Sequence, residues 1–290
     1  MKRRHFIQKT AAFGAGAISL TAFPYHLYAS DKKLYPYDRV KLGNTGIEMS
    51  RMAVGTGSSG WRGSSNQTRK LGIRGLADLL KAAYDEGINF WDSADQYGTH
   101  PHLKEAQKKV KRENVVILSK STSITAAGMK KDIDRFRQEI GTDYIDIVLL
   151  HAVTNANWRN DLRGAMDILS QAKEDGIIRA HGISCHSLEA LKEAAEEPWV
   201  DVDLARYNPA GVRMDSDVAT VTKVLQRMKE NGKAVIGMKV YGAGSLLEKK
   251  DECLQFHTGN DFINAFTLGL ESGEQLQDIL KRLPEASVRS

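Results

Sequence analysis

The chain has 290 residues, 41% of them hydrophobic and 27% charged, with a formal net charge of +5. That length and apolar content support a large buried core and exclude a disordered or fibrous chain. Much of the excess charge sits in Lys2, Arg3, Arg4 and Lys9, ahead of the first acidic residue, Asp31; the remainder is close to neutral and has no basic stripe, which excludes an electrostatic footprint for nucleic acid.

The first predicted element, residues 1–30, is an export leader. Lys2-Arg3-Arg4-His5-Phe6-Ile7-Gln8-Lys9 precedes an apolar, small-residue run over 10–23. The paired Arg, Phe6 and Ile7 resemble the twin-arginine (Tat) signal, which implies passage of a folded protein through the Tat export machinery, with cofactor loaded beforehand. It also implies a periplasmic product, cleaved near Ala29 or Ser30 and not inserted in the membrane. Leu27 departs from the small residue preferred two positions before Ala29. The run is short for a bilayer span, so an uncleaved membrane anchor or a basic tail are the alternatives.

Residues 31–290 read as one domain. A small hairpin is predicted over 39–49, turning at Gly43-Asn44. After it, β-like runs at 52–55, 88–92, 115–119, 145–151, 180–184, 202–207, 234–238 and 265–269 alternate with helical patterns at 76–85, 130–140, 162–174, 188–195 and 218–231, and a last helix covers 274–282. Gly87, Gly141, Gly176 and Gly232 follow four of these helices as stop signals. Eight strands in alternation with helices predict an α/β fold, a (β/α)8 TIM barrel, with the hairpin capping the barrel bottom.

Four polar residues stand at the ends of successive strands: Asp92 and Tyr97 after the second, Lys120 after the third and His151 after the fourth. In such a barrel the chemistry lies at the carboxyl ends of the strands, so the four read as one site. Together with Gly55-Thr56-Gly57, Asp92-Ser93-Ala94-Asp95-Gln96-Tyr97-Gly98, Gly182-Ile183-Ser184, Tyr207-Asn208-Pro209, Gly269 and Glu274-Gln275-Leu276 they make the chain similar to the aldo-keto reductases over its whole length past the leader. The resemblance implies reduction of an aldehyde or ketone by hydride from NADP or NAD, on a small carbonyl or sugar-like substrate. Tyr97 would donate the proton, its phenol acidified by Lys120; Asp92 would hold Lys120 charged, and His151 would orient the carbonyl oxygen. Each of the four has a purely structural reading, such as a core salt bridge for Asp92 and Lys120, but those readings do not predict all four at one barrel end.

The cofactor would be held by Gly55, Thr56, Asp92, Ser184, Cys185, Met238, Lys239, Tyr241, Gly242, Gly244, Gly269 and Gln275, the glycines after the seventh strand letting backbone approach a pyrophosphate. The usual dinucleotide fingerprint does not apply, because no GxGxxG leads directly from a strand into a helix. Three positions depart from the family pattern: Cys185 replaces the Asn after Ser184, Leu204 a Gln, and Met238 the aromatic that stacks on nicotinamide. Near the adenine end Glu271, Glu274 and Asp278 stand where members preferring NADP carry Lys or Arg, which implies weak discrimination against NAD. Substrate would meet Trp61, Tyr97, His151 and Asn155, with Asn157, Trp158, Arg213 and Tyr241 on nearby loops. Cys185 and Cys253 suggest neither a disulfide nor a metal site, and His100, His102, His181 and His186 read as surface or supporting residues. Rival readings are a cofactor-binding sensor or partner module without turnover, and an exported hydrolase using Asp92 and Asp95.

Overall fold

A computed structural model describes residues 23–290; the Arg pair and nearly all of the expected leader, residues 1–22, lie outside them. Strands β1 (Arg39–Lys41) and β2 (Glu48–Ser50) form an antiparallel hairpin with Val40 opposite Met49. Eight parallel strands follow: β3 (Met52–Gly55), β4 (Phe90–Asp92), β5 (Val116–Ser121), β6 (Ile145–Val153), β7 (Ile178–Cys185), β8 (Val202–Arg206), β9 (Ala234–Met238) and β10 (Ala265–Gly269). They close into a barrel in sequence order, β10 returning to pair with β3. The expected (β/α)8 fold is therefore observed, with every predicted strand present.

Alternation along each strand divides the core in two. Trp91, Ile117, Val148, Ile183 and Val235 pack outward against the helices, while Phe90, Leu118, Ile147, Leu149 and Ile236 fill the barrel. Because both faces are buried, the strands read as continuous apolar runs. Leu42, Ile47 and Met49 of the hairpin are at most 1% exposed and join the inner group. Among the described residues they close the amino-terminal mouth of the barrel interior and leave its carboxyl end open.

The main helices are α1 (Tyr25–Tyr28), α2 (Asn66–Asp85), α3 (His100–Gln107), α4 (Ala126–Ile140), α5 (Trp158–Asp161), α6 (Arg163–Glu174), α7 (Leu188–Glu196), α8 (Val218–Glu230), α9 (Lys250–Thr258) and α10 (Gly273–Val288). Gly87, Gly141, Gly176 and Gly232 all take left-handed φ, between 72° and 87°, where the helix stops were expected. Helix α2 starts earlier than its apolar spacing suggests, because Ser65 caps it: its hydroxyl accepts from the Thr68 backbone and its own N–H donates to Thr68 Oγ1 at 2.9 Å. Helix α3 was not expected; it opens with Pro101 in its first turn, where the missing N–H costs nothing. No described helix is long and apolar enough to cross a membrane.

Candidate active site

At the carboxyl mouth, β4 ends in Asp92, β5 carries Lys120, and a short 3-10 turn, Asp95–Tyr97, brings Tyr97 back over both. Lys120 is 1% exposed and Asp92 5%. A buried ammonium is tolerable only with its donors used, and Lys120 Nζ donates to Asp92 Oδ1 and, at 2.6 Å, to the Ser93 carbonyl. The second Asp92 oxygen accepts from Thr267 Oγ1 at 2.8 Å, and the Asp92 carbonyl accepts from the Thr56 N–H at 3.0 Å and its hydroxyl at 2.9 Å. Lys120 of β5, Thr267 of β10 and Thr56 just after β3 thus fix Asp92.

The Lys120 ammonium stands 4.9 Å from the centre of the Tyr97 ring. Burial is the largest single influence and works against that charge, but Asp92 and Tyr97 together outweigh it and hold the ammonium above its ordinary value. For Tyr97 the balance differs from the expected acidification. Burial raises the phenol above 10, Lys120 pulls it down, and Asp92 pushes it up, with burial the largest influence. The phenol is therefore held as the protonated acid, and the nearby ammonium stabilises the phenolate that proton donation would leave.

Glycines make room for this ring. A Cβ at Gly57 or Gly60 would overlap the Tyr97 ring, and one at Gly98, whose φ is 67°, would overlap the Gly63 carbonyl. His151 meets the ring edge-on, with centroids 5.7 Å apart at 84°. It sits at a bulge where the β6–β7 register slips between Leu150 and Val153 and Ala152 takes φ 56°. Such a bulge re-aims a side chain next to a mouth. Burial first, and then the Lys120 ammonium with smaller influences from His186 and Lys239, pushes the His151 imidazole down to about 2, so it acts as a neutral hydrogen-bonding group. Its buried Nδ1 has no partner within the protein.

On the cofactor side, Ser184 is fully buried and its Oγ likewise lacks a partner, which fits an amide such as the nicotinamide carboxamide. Met238 and Leu204 lie in the inner group near it. Cys185 does not join them: alternation turns it outward among the helices, where burial, followed by Asp203, keeps the thiol protonated. Lys239 is exposed on a loop with φ 57°, followed by Tyr241 and a 3-10 turn, Gly242–Gly244, in which Gly242 and Gly244 take φ 55° and 99°. All six non-glycine residues with left-handed φ among those described lie at or after barrel strand ends on this face: Ser59, Arg62, Ala152, Arg213, Lys239 and Ala243. Strain concentrates where ligand is expected.

Gly55 and Gly269 are opposite each other on β3 and β10, and a Cβ at Gly269 would overlap Ser58 Oγ, so these two serve close packing of strand and loop. Gln275 Oε1 accepts from the Glu271 N–H at 2.8 Å and closes the turn after β10. Glu271 is itself bound by Lys70 and by Asn66 at 2.8 Å, and Asp278 by Arg282 and Lys250. These two carboxylates are partly spent on the protein.

Trp61 is 60% exposed above a cleft of about 280 Å3 formed with Arg62, Gly63, Asp95 and Gln96. Asn155 instead bonds Asp161 and the Asn157 N–H within its own loop, and Trp158 is a packing anchor, fully buried with its Nε1 donating to the Ala190 carbonyl at 3.3 Å. His100, His102 and His181 are buried rather than on the surface; His100 joins Ser119 and Glu139 at 2.8 Å each. No group of three His, Cys, Asp or Glu is arranged for a metal among the described residues. Two contributors were not anticipated. Thr267 was hidden by its distance in sequence from Asp92, and Arg206, paired with the fully buried Asp215 side chain, gave no motif.

Comparison with known proteins agrees with this fold. Residues 51–288 match the sequence pattern described as the aldo/keto reductase family. A protein of Escherichia coli (strain K12) named NADH-specific methylglyoxal reductase is 24% identical over 207 residues, 62% of this chain and 62% of that one. D-threo-aldose 1-dehydrogenase of a Pseudomonas species is 24% identical over 216 residues, 61% and 64% of the two chains. The chain thus spans less than two thirds of the length of these relatives. Among solved structures, the holo form of aldo-keto reductase AKR11C1 from Bacillus halodurans superposes with a TM-score of 0.70 at 16% identity, covering 85% of this chain and 90% of that one, a likeness of fold.

Proposed function

The chain belongs to the aldo/keto reductase family, and from that premise we propose that it is an NAD(P)-dependent oxidoreductase that reduces an aldehyde or ketone, with Tyr97 as general acid. The observation that carries this reading is the buried Asp92–Lys120 pair beneath the Tyr97 ring. NAD(P)H, when bound, would supply hydride to the carbonyl carbon. Tyr97 gives its proton to the carbonyl oxygen as the alkoxide develops, and Lys120 stabilises the phenolate left behind. Neutral His151 donates a hydrogen bond to the same oxygen and sets its direction. Ser184, the 242–244 turn and Lys239 are the residues fitted to the cofactor, with the Lys239 ammonium available to its phosphates.

We infer that NADH and NADPH are both accepted, since the turn after β10 itself carries Glu271 and Glu274 and no Lys or Arg, and the Lys70 ammonium beside it is paired with Glu271. A small carbonyl or sugar-like substrate suits the open cleft beside Trp61. Export in folded form through the Tat system is supported by Arg3-Arg4 and the apolar run after it. Tyr97→Phe tests the catalytic reading: turnover should fall by roughly 100-fold to 10,000-fold, the usual contribution of a positioned acid, while fluorescence titration shows NADH and NADPH bound as by the parent. Cofactor binding with no turnover by the parent across a broad carbonyl panel would favour a sensor. A strong preference for NADPH would overturn the inference about the turn.

A further inference from the structure

The last residues of the expected leader, from Phe23 to Ser30, are docked on the barrel. Phe23 stacks on Tyr28 with ring centroids 5.3 Å apart, and Tyr28 lies 5.1 Å from Phe256 of α9, which in turn packs on Tyr207 after β8. Arg289, just past α10, stands 4.5 Å from the Tyr25 ring centre. Backbone bonds extend the attachment: the Ser30 N–H donates to the Ser287 carbonyl at 2.6 Å, and the Leu34 N–H to the buried Ser287 hydroxyl at 3.0 Å. Gly259 has an ordinary φ of −83°, yet a Cβ there would overlap the Tyr28 carbonyl and sit 2.7 Å from its Cα. Glycine at 259 is therefore explained by the passage of this segment, not by its own backbone.

We propose that residues 23–30 remain on the mature protein as an aromatic clasp across α9 and α10, and that any processing of the leader occurs ahead of Phe23 and not at Ala29–Ser30. A peptidase needs its substrate undocked and extended, and sites held by packing and backbone hydrogen bonds are poor targets. Here the bond after Ala29 follows a helical turn and its Ser30 N–H is tied to α10. Removal at that point would uncover Phe256, which is 2% exposed with the clasp in place. The inference rests on the export reading only in that the leader has a processing boundary at all; the docking itself is independent of it.

The test uses the full-length chain, expressed in a host with a twin-arginine system and recovered from the cell envelope, with its first residue read by intact mass. A first residue from Met1 to Phe23 is expected. One from residue 24 to 31 would overturn the proposal. On the same preparation, chymotrypsin under native conditions should spare Tyr25 and Tyr28 in the parent and cut there in Gly259→Ala, whose melting temperature should fall by several degrees. Rapid cutting of the parent at Tyr25 or Tyr28, or a Gly259→Ala variant that melts within a degree of the parent and resists cutting, would overturn it equally. These last readouts do not involve turnover or cofactor, so they stand apart from the enzymatic reading.

Discussion

Lys120 has two jobs at the residue scale: it neutralises a buried Asp92 and it faces the Tyr97 ring. Removing it therefore costs twice. In Lys120→Met the Asp92 carboxylate loses its ion-pair partner in a buried site, which costs about 3–5 kcal/mol, and Tyr97 loses the cation proposed to stabilise its phenolate. Denaturant titration should show that loss of stability at neutral pH, and turnover should drop by roughly 100-fold or more. The double variant Asp92→Asn, Lys120→Met should recover part of the stability and none of the turnover. Equal stability of Lys120→Met and the parent would remove the buried pair from the account. Asp92, Tyr97, Lys120 and His151 were legible because each follows a clear apolar strand. Thr267 was not, since it bonds Asp92 across 175 residues of chain and no local pattern marks it.

Placement of the Tyr97 turn depends on the loop after β3. Gly57 and Gly60 leave the space its ring occupies, and the Trp61–Ser64 bridge holds that loop through backbone bonds of 2.8 and 3.2 Å. Gly57→Ala puts a methyl inside the ring position, so the ring must swing away from Lys120. Overpacking of this kind costs about 1–3 kcal/mol, and the displaced acid should reduce turnover at least about tenfold while cofactor affinity is kept. Unchanged turnover in Gly57→Ala would show that the ring has other room. Element boundaries were less legible than element order. Strand β5 extends beyond its apolar run because backbone pairing continues through the polar Lys120 and Ser121, β6 and β7 also run longer than expected, and α3 escaped notice because His100-Pro101-His102 gives no apolar period. The alternation that puts Ser184 inward necessarily puts Cys185 outward, which the strand period implied and the family comparison obscured.

Across the whole molecule, burial of neutral imidazoles ties stability to pH. His151 is pushed down to about 2, and His186 and His257 to about 4 each, with burial the leading cause for all three. The unfolded chain protonates these groups below about 6.5. Folded stability from them is thus full above that pH and is lost as pH falls toward the folded values. Asp203 acts the other way: burial raises it to about 7, so its cost is relieved on acidification. Three histidines outweigh one carboxyl, and the denaturation midpoint should fall between pH 6.5 and 5, by roughly 1–3 kcal/mol in stability. A midpoint that holds or rises over that interval would mean the imidazoles are hydrated.

At this scale the barrel was legible from eight apolar runs and their glycine stops, and the hairpin plug from its turn. The mouth it leaves open is proposed to be where hydride passes to a carbonyl. Incubating the protein with NADH or NADPH deuterated at the transferable nicotinamide position and a panel of small aldehydes and sugars, then reading the products by mass spectrometry, addresses it directly. One deuterium on the former carbonyl carbon, abolished in Tyr97→Phe with cofactor still bound, is the predicted result. Bound cofactor with no labelled alcohol from any member of the panel would contradict it.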